Sequence, residues 1–329
     1  MNLLLDTFFQ KQKKTPIWFM RQAGRYLPEY MKIRSKYQNF MEFCDAVEDV
    51  VEVTLQPMKR FDLDAAIIFS DILVIPKALG YKVEFIENKG PIISGEMIEP
   101  RANMLEKSAN TYEALKKVRK NLPKEKALIG FAGAPWTLAC YIFGKEKGFN
   151  DVKRLAYGGD KEFNEVFEIL TEKTYEHLRN QIKSGADLVK IFDSWAGVLD
   201  QTNIQKLSFT PIEIIYKKLK SEFPEVPVIV FSKGCASHSM NFSPDGLAVS
   251  YSENLEEVVK RANSELVIQG NLDPILLEID NFDLIKQEVE KILSLMKNRK
   301  HIFNLGHGIN PQAKIENINY IIECVRKYK

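Results

Sequence analysis

Eight short apolar runs punctuate the chain, at 17–20, 65–69, 127–131, 187–192, 226–231, 246–251, 266–269 and 301–305. Between them, apolar residues recur at helical spacing, over 27–36, 40–60, 111–121, 161–184, 255–262, 284–296 and 315–327, with a further helix opening at Pro135. Strict alternation of strand and helix predicts a parallel sheet. Eight such units in 329 residues fit a single-domain α/β fold, a closed (β/α)8 TIM-type barrel spanning 1–329. An open doubly wound sheet would more often carry a Gly-x-Gly-x-x-Gly turn after its first strand, and none stands there. Residues up to Lys14 read as a polar lead-in. The pattern shortens over 81–94, where a small hairpin or extended excursion is expected to turn at Gly90-Pro91.

Composition narrows the functional classes. The chain is 45% hydrophobic and 27% charged, and 46 basic against 44 acidic residues leave a net charge of +2. No bulk field points to nucleic acid or a membrane surface, so any anionic ligand must be held by local cations. The absence of an apolar run of membrane-spanning length and of a signal-peptide pattern points to the cytoplasm. Cys44, Cys140, Cys235 and Cys324 are scattered without metal-ligand spacing relative to the four histidines, which recommends no metal.

The first apolar run leads into Arg21-Gln22-Ala23-Gly24-Arg25-Tyr26, and Pro28-Glu29 then signals a helix start. Two arginines thus stand where a strand becomes a helix, with a glycine to turn the backbone and a helix N-terminus close by, an arrangement suited to carboxylates or phosphates. In a barrel, everything that ends a strand faces one mouth. Asp71 follows the second run, Tyr141 lies beyond the third, Ser194 follows the fourth and His307, between Gly306 and Gly308, follows the eighth. Each has a plainer reading: an ion pair or helix cap for Asp71, a core or interface aromatic for Tyr141, a cap for Ser194, a sharp turn for His307. Asp193 and Trp195 read as packing or supporting residues.

Taken together, Met20-Arg-Gln-Ala-Gly-Arg-Tyr-Leu-Pro-Glu29, Phe69-Ser-Asp-Ile72, Gly130-Phe-Ala-Gly-Ala-Pro-Trp-Thr137, Phe192-Asp-Ser-Trp-Ala-Gly197, Gln269-Gly-Asn-Leu-Asp-Pro274 and Asn304-Leu-Gly-His-Gly308 resemble the uroporphyrinogen decarboxylase family. The resemblance implies a cofactor-free homodimeric barrel that converts the four acetate side chains of uroporphyrinogen to methyl groups. It further implies that Arg21 to Arg25, Asp71, Tyr141, Ser194 and His307 line the substrate site, with Arg34 a further basic position. One departure stands out: the family's Leu-Asp-Trp at the sixth strand is Val249-Ser250-Tyr251 here, without the acid. Two other activities compete with the decarboxylase. A corrinoid-dependent methyltransferase on a related barrel would need a zinc-thiolate site, and a tetrapyrrole carrier would bind without turnover.

Overall fold

The computed structural model describes residues 2–10, 14–86, 90–144, 148–238 and 242–328. Nine strands are formed among them: β1 (Ala65–Ile67), β2 (Lys82–Ile86), β3 (Gly90–Ser94), β4 (Ala127–Gly133), β5 (Leu188–Asp193), β6 (Val228–Ser232), β7 (Gly246–Ala248), β8 (Val267–Gln269) and β9 (His301–Ile302). Seven join in one parallel sheet in the order β1-β4-β5-β6-β7-β8-β9.

The remaining barrel position belongs to the first apolar run. Ile17 makes a single parallel bridge to Phe303, and on its other side accepts the Asp64 amide at 2.8 Å while donating its own amide to the Asp64 carboxylate at 2.7 Å. The sheet therefore closes through one bridge on one side and, on the other, one backbone and one side-chain hydrogen bond with Asp64, not through the extended strand expected over 17–20. The reason is local: the chain must leave the strand path at once to build the Arg21 turn.

Inward-facing residues fill the barrel, and outward-facing ones pack under the helices, which explains why the runs are apolar on both faces. Helix ends follow their caps. Asp160 accepts from Phe163 to start Lys161–Lys183, and Asn281 accepts from Leu284 to start Phe282–Leu295. The expected helix over 40–60 is two, Phe40–Asp45 and Val47–Arg60, broken at Ala46.

Two further expectations are corrected. The lead-in contains the helix Leu3–Phe9, begun by an Asn2 cap at 3.2 Å. Leu4, Leu5 and Phe8 pack among the inward residues Ala65, Leu188, Ile229 and Ile302, so this helix plugs the amino-terminal end of the barrel. Residues 11–13 of the lead-in lie outside the described residues. The hairpin over 81–94 is present as antiparallel β2 and β3, with Phe85 opposite Pro91. Gly90 and Pro91 belong to its second strand, and the connection at 87–89 lies outside the described residues.

Candidate active site

Of the expected polar groups, Asp71, Tyr141 and His307 are linked electrostatically through Arg21 at the carboxyl ends of the strands. Asp71 lies beyond β1, recessed but with an accessible edge. One of its oxygens accepts the Leu73 amide at 2.8 Å within the turn before Val74–Ala78, a helix whose N-cap is Leu73 and carries no side-chain cap. Burial raises the Asp71 pKa above the ordinary carboxylate value, while the Leu73 hydrogen bond and the Arg21 charge oppose the rise. Tyr141, on the helix Pro135–Phe143, lies within electrostatic range of both. Burial raises its phenol and Asp71 adds to the rise, against Trp195 and Arg21. His307 is half-buried and drawn down to about 4, first by burial and then by Arg21 and Lys233. It is therefore a neutral imidazole at neutral pH.

The Arg21 turn is held open by its neighbours. Arg21 adopts φ +60°, uncommon for a residue with a side chain. A Cβ on Gly308 would stand 2.4 Å from the Arg21 Cδ and 2.7 Å from its Cγ, so the missing side chain at 308 is what lets Arg21 lie there. Gly306 is required for a different reason: a Cβ there would meet the Tyr251 amide nitrogen at 2.0 Å. Gln22 is buried and braces the turn from inside, accepting from Phe19 at 3.2 Å and donating to the Ala65 carbonyl at 3.0 Å. The Tyr26 hydroxyl closes the frame on the Gln22 carbonyl at 2.6 Å. Ala23 and Gly24 are half-buried beside the exposed Arg25.

The nearest helix acid does not neutralise these cations. Glu29 is held in a bidentate pair by Arg60, at 2.7 and 3.0 Å. Among the described residues Arg21, Arg25 and Arg34 form no ion pair, whereas most surface lysines do. Arg34 donates to the Tyr37 carbonyl and lies 5.7 Å from the Phe40 ring centroid.

A second wall rests on Asp193, which is fully buried at the end of β5. Thr137 donates to one of its oxygens at 2.6 Å and Ser208, presented by a π-type turn at Gln205–Phe209, donates to the other. Thr137 in turn accepts the Trp195 amide at 3.1 Å, and Trp136 donates to the Trp195 carbonyl at 3.0 Å. The Trp195 ring stands edge-on to Tyr141 at 6.2 Å. Ser194 sits half-buried within this turn. Burial pushes the Asp193 pKa up to about 6, against the Ser208 and Thr137 hydrogen bonds.

Two residues at the mouth escaped the sequence reading. Lys233 directly follows β6 and bears electrostatically on His307; its place just after an apolar run, before Gly234, was the available signal. Glu253 accepts the amides of Ser237 and Ser250, each at 3.3 Å. A carboxylate three residues beyond position 250 thus stands at the backbone of this strand end, with no trace in the strand pattern. Among the described residues no three His, Cys, Asp or Glu side chains converge as a metal donor set. No helix of those residues is long and apolar enough to cross a membrane.

A closed parallel barrel with Arg21, Asp71, Tyr141 and His307 linked electrostatically at the carboxyl ends of its strands defines the class, a TIM-type barrel with its candidate site at that mouth. A methyltransferase from Methanosarcina mazei superposes with TM-score 0.81 over 99% of this chain and 97% of its own, at 16% identity. A B12-independent methionine synthase from Shewanella gives TM-score 0.59 over 87% and 89%, at 13% identity. At such identities the likeness is one of fold. The family model for uroporphyrinogen decarboxylase matches residues 5–328. A uroporphyrinogen decarboxylase of Rickettsia bellii is 45% identical over 340 residues, covering 100% of this chain and 99% of that protein. The Rickettsia felis protein of the same name is 44% identical, covering 100% and 98%. The chain belongs to the uroporphyrinogen decarboxylase family.

Proposed function

We propose that the chain, as one barrel domain, decarboxylates the four acetate side chains of uroporphyrinogen to give coproporphyrinogen. Full-length relatives carrying that name support the activity, and the observation that carries the site is Arg21, which makes no ion pair and bears electrostatically on recessed Asp71, on Tyr141 and on His307. The substrate has eight carboxylates and a ring of four pyrrole N–H groups. Arg21 and Arg25 meet carboxylates, with Arg34 adding positive charge at the side. Asp71 accepts the pyrrole N–H groups, and their donation favours its charged form against the burial that raises its pKa.

Loss of carbon dioxide from an acetate needs an electron sink. Protonation of the adjacent pyrrole carbon supplies it: the C–CO2 bond breaks, its electron pair flows into the ring cation to leave an exocyclic methylene, and a second proton at that methylene gives the methyl group as the first proton leaves the ring carbon and the pyrrole is restored. Asp71 stabilises the cation. For a charge pair about 4 Å apart at an effective dielectric near 20, this is worth about 4 kcal/mol, or roughly a thousandfold in rate. Tyr141 positions Asp71, while Ser194 and neutral His307 bind peripheral carboxylates. The resident residues supply all of these roles without a cofactor, and the working form is a cytoplasmic homodimer.

The test is anaerobic incubation with uroporphyrinogen, following carboxylate loss by chromatography of the oxidised products, beside Asp71→Asn. Stepwise conversion to the four-carboxylate product, with the folded variant slowed about a thousandfold, supports the reading. Binding without release of carbon dioxide by the wild type would sink it in favour of a carrier.

A further inference from the structure

The first apolar run and β9 begin a parallel ladder and then leave it. Ile17 bridges Phe303, with the Phe303 amide donating to the Pro16 carbonyl at 2.8 Å and the Trp18 amide to the Phe303 carbonyl at 3.4 Å. Two residues further on, a regular parallel ladder would carry the Leu305 amide to the Trp18 carbonyl and the Met20 amide to the Leu305 carbonyl. Among the described residues neither bond forms. Both amides turn instead to one atom, the Asn304 side-chain oxygen, Leu305 at 2.8 Å and Met20 at 3.1 Å. On the other side of the same segment the ladder continues: Leu305 bridges Leu272, the Leu272 amide donates to the Asn304 carbonyl at 3.1 Å and the Gly306 amide to the Leu272 carbonyl at 2.8 Å. The interruption therefore belongs to the seam with the first run, where Arg21 departs.

The side chain that breaks the ladder is fully buried, and its Nδ2 has no hydrogen-bond partner among the described residues. Turning the amide over would set Nδ2 against two N–H donors, so the two amides fix which end faces the seam. An orphaned buried donor costs about 1–3 kcal/mol, and an interior that keeps one calls for an explanation. What the seam carries supplies it. Met20 directly precedes Arg21, and its carbonyl accepts the Ile309 amide at 2.9 Å. Met20 is thus held at both polar ends by the segment that bears His307. Gly308, within that segment, lies so close to the Arg21 side chain that a Cβ there would meet its Cδ at 2.4 Å. The interposed oxygen keeps the two backbones from ladder pairing at the point where Arg21 takes its φ of +60°.

We infer that Asn304 is a positioning residue: its side-chain oxygen holds the barrel seam apart and sets the Arg21 turn against the His307 loop. It acts only through the Met20 and Leu305 amides and takes no part in proton transfer. One acceptor atom thereby fixes two site residues that stand 286 positions apart in the chain, Arg21 one residue beyond its Met20 contact and His307 two beyond its Leu305 contact. The catalytic consequence rests on the proposed decarboxylation, whereas the placement of Arg21 against His307 does not.

Asn304→Leu removes the acceptor with little change of volume, and Asn304→Asp keeps it. The first measurement needs no substrate: the His307 ring is titrated by proton NMR in the whole protein, with Arg21→Met as the reference for a lost Arg21 charge. Asn304→Leu should free Arg21 from the loop and move the His307 pKa up from about 4 toward the Arg21→Met value. A folded Asn304→Leu whose His307 titrates as in the wild type overturns the inference, because a loss of stability alone would leave that titration unchanged. The second measurement is turnover of uroporphyrinogen, where kcat/KM should fall about a hundredfold in Asn304→Leu and be largely restored in Asn304→Asp. Where Asn304→Leu does not fold, the near-isosteric Asn304→Asp decides, and a hundredfold loss in that folded variant overturns the inference. A wild type that does not turn over uroporphyrinogen counts against the proposed function, while the His307 titration still reports on Asn304.

Discussion

Asp193→Asn isolates the burial of a charge from the loss of shape. Asp193 is fully buried, and its carboxyl is pushed from 3.8 up to about 6. An acid with a raised folded pKa binds more protons folded than unfolded between those values, so stability falls as pH rises across that window and the penalty is complete above it. A displacement of about two pH units at about 1.4 kcal/mol each gives a penalty of about 3 kcal/mol at neutral pH. Asparagine keeps an oxygen to accept from Thr137 and offers an amide that a rotated Ser208 hydroxyl can accept, so the Trp195 amide stays bound. Urea unfolding of both proteins at about pH 4 and about pH 7.5 should show the variant gaining about 3 kcal/mol relative to wild type between the two. Packing losses from the substitution are the same at both pH values and cancel in this comparison. A pH-independent difference, or a variant that loses ground as pH rises, refutes the buried-charge account.

Three further outcomes follow from the same geometry. Gly308→Ala puts a methyl 2.4 Å from the Arg21 Cδ and displaces that side chain; KM for uroporphyrinogen should rise about tenfold with the far-ultraviolet circular dichroism unchanged, and an unaltered KM would detach Arg21 from binding. His177 and His301 are buried neutral, with pKa values drawn down to about 3 and about 4, so their stability contribution is whole above pH 6.5 and lost as pH falls toward those values. Acidification from about pH 7 to about pH 5 should remove about 2 kcal/mol for each, and His177→Gln should reduce the loss seen in urea titrations by about 2 kcal/mol. Raising ionic strength from about 0.02 M to about 0.5 M should raise KM about tenfold while kcat holds, because the cations at the mouth are unpaired; a flat salt profile would deny them a share in capture.

The barrel was legible because each strand is buried on both faces and so reads as an unbroken apolar run, while each helix shows only one apolar stripe. The plug Leu3–Phe9 was not, because its short apolar stretch precedes a polar segment and too few residues remain to establish a helical period. The break at Ala46 leaves no mark, since both halves continue the same stripe. In the site, Arg21, Asp71 and His307 declared themselves by chain position after apolar runs. Glu253 did not, because it reaches the strand end from the turn beyond. Asp193 looked like packing because the partners that make it a node, Thr137 and Ser208, are 56 and 15 residues away in sequence.

A net charge of +2 on 90 charged side chains conceals an uneven distribution, 46 basic and 44 acidic. On the surface, lysines and acids pair, as in Lys36 with Asp49 and Lys183 with Glu222, and such pairs contribute little to stability. At the mouth the pairing is withheld. Glu29, the acid closest in sequence to Arg25, is taken by Arg60, and Asp71 is turned to the Leu73 amide instead of a guanidinium. Under the proposed function both choices have a use. Arginines already neutralised by resident acids would have to break those pairs to accept a carboxylate, whereas unpaired ones bind without that loss. An Asp71 bridged to arginine would offer its lone pairs to a fixed cation; held by one backbone amide, it keeps acceptor sites for the pyrrole N–H groups and for the charge that develops on the ring.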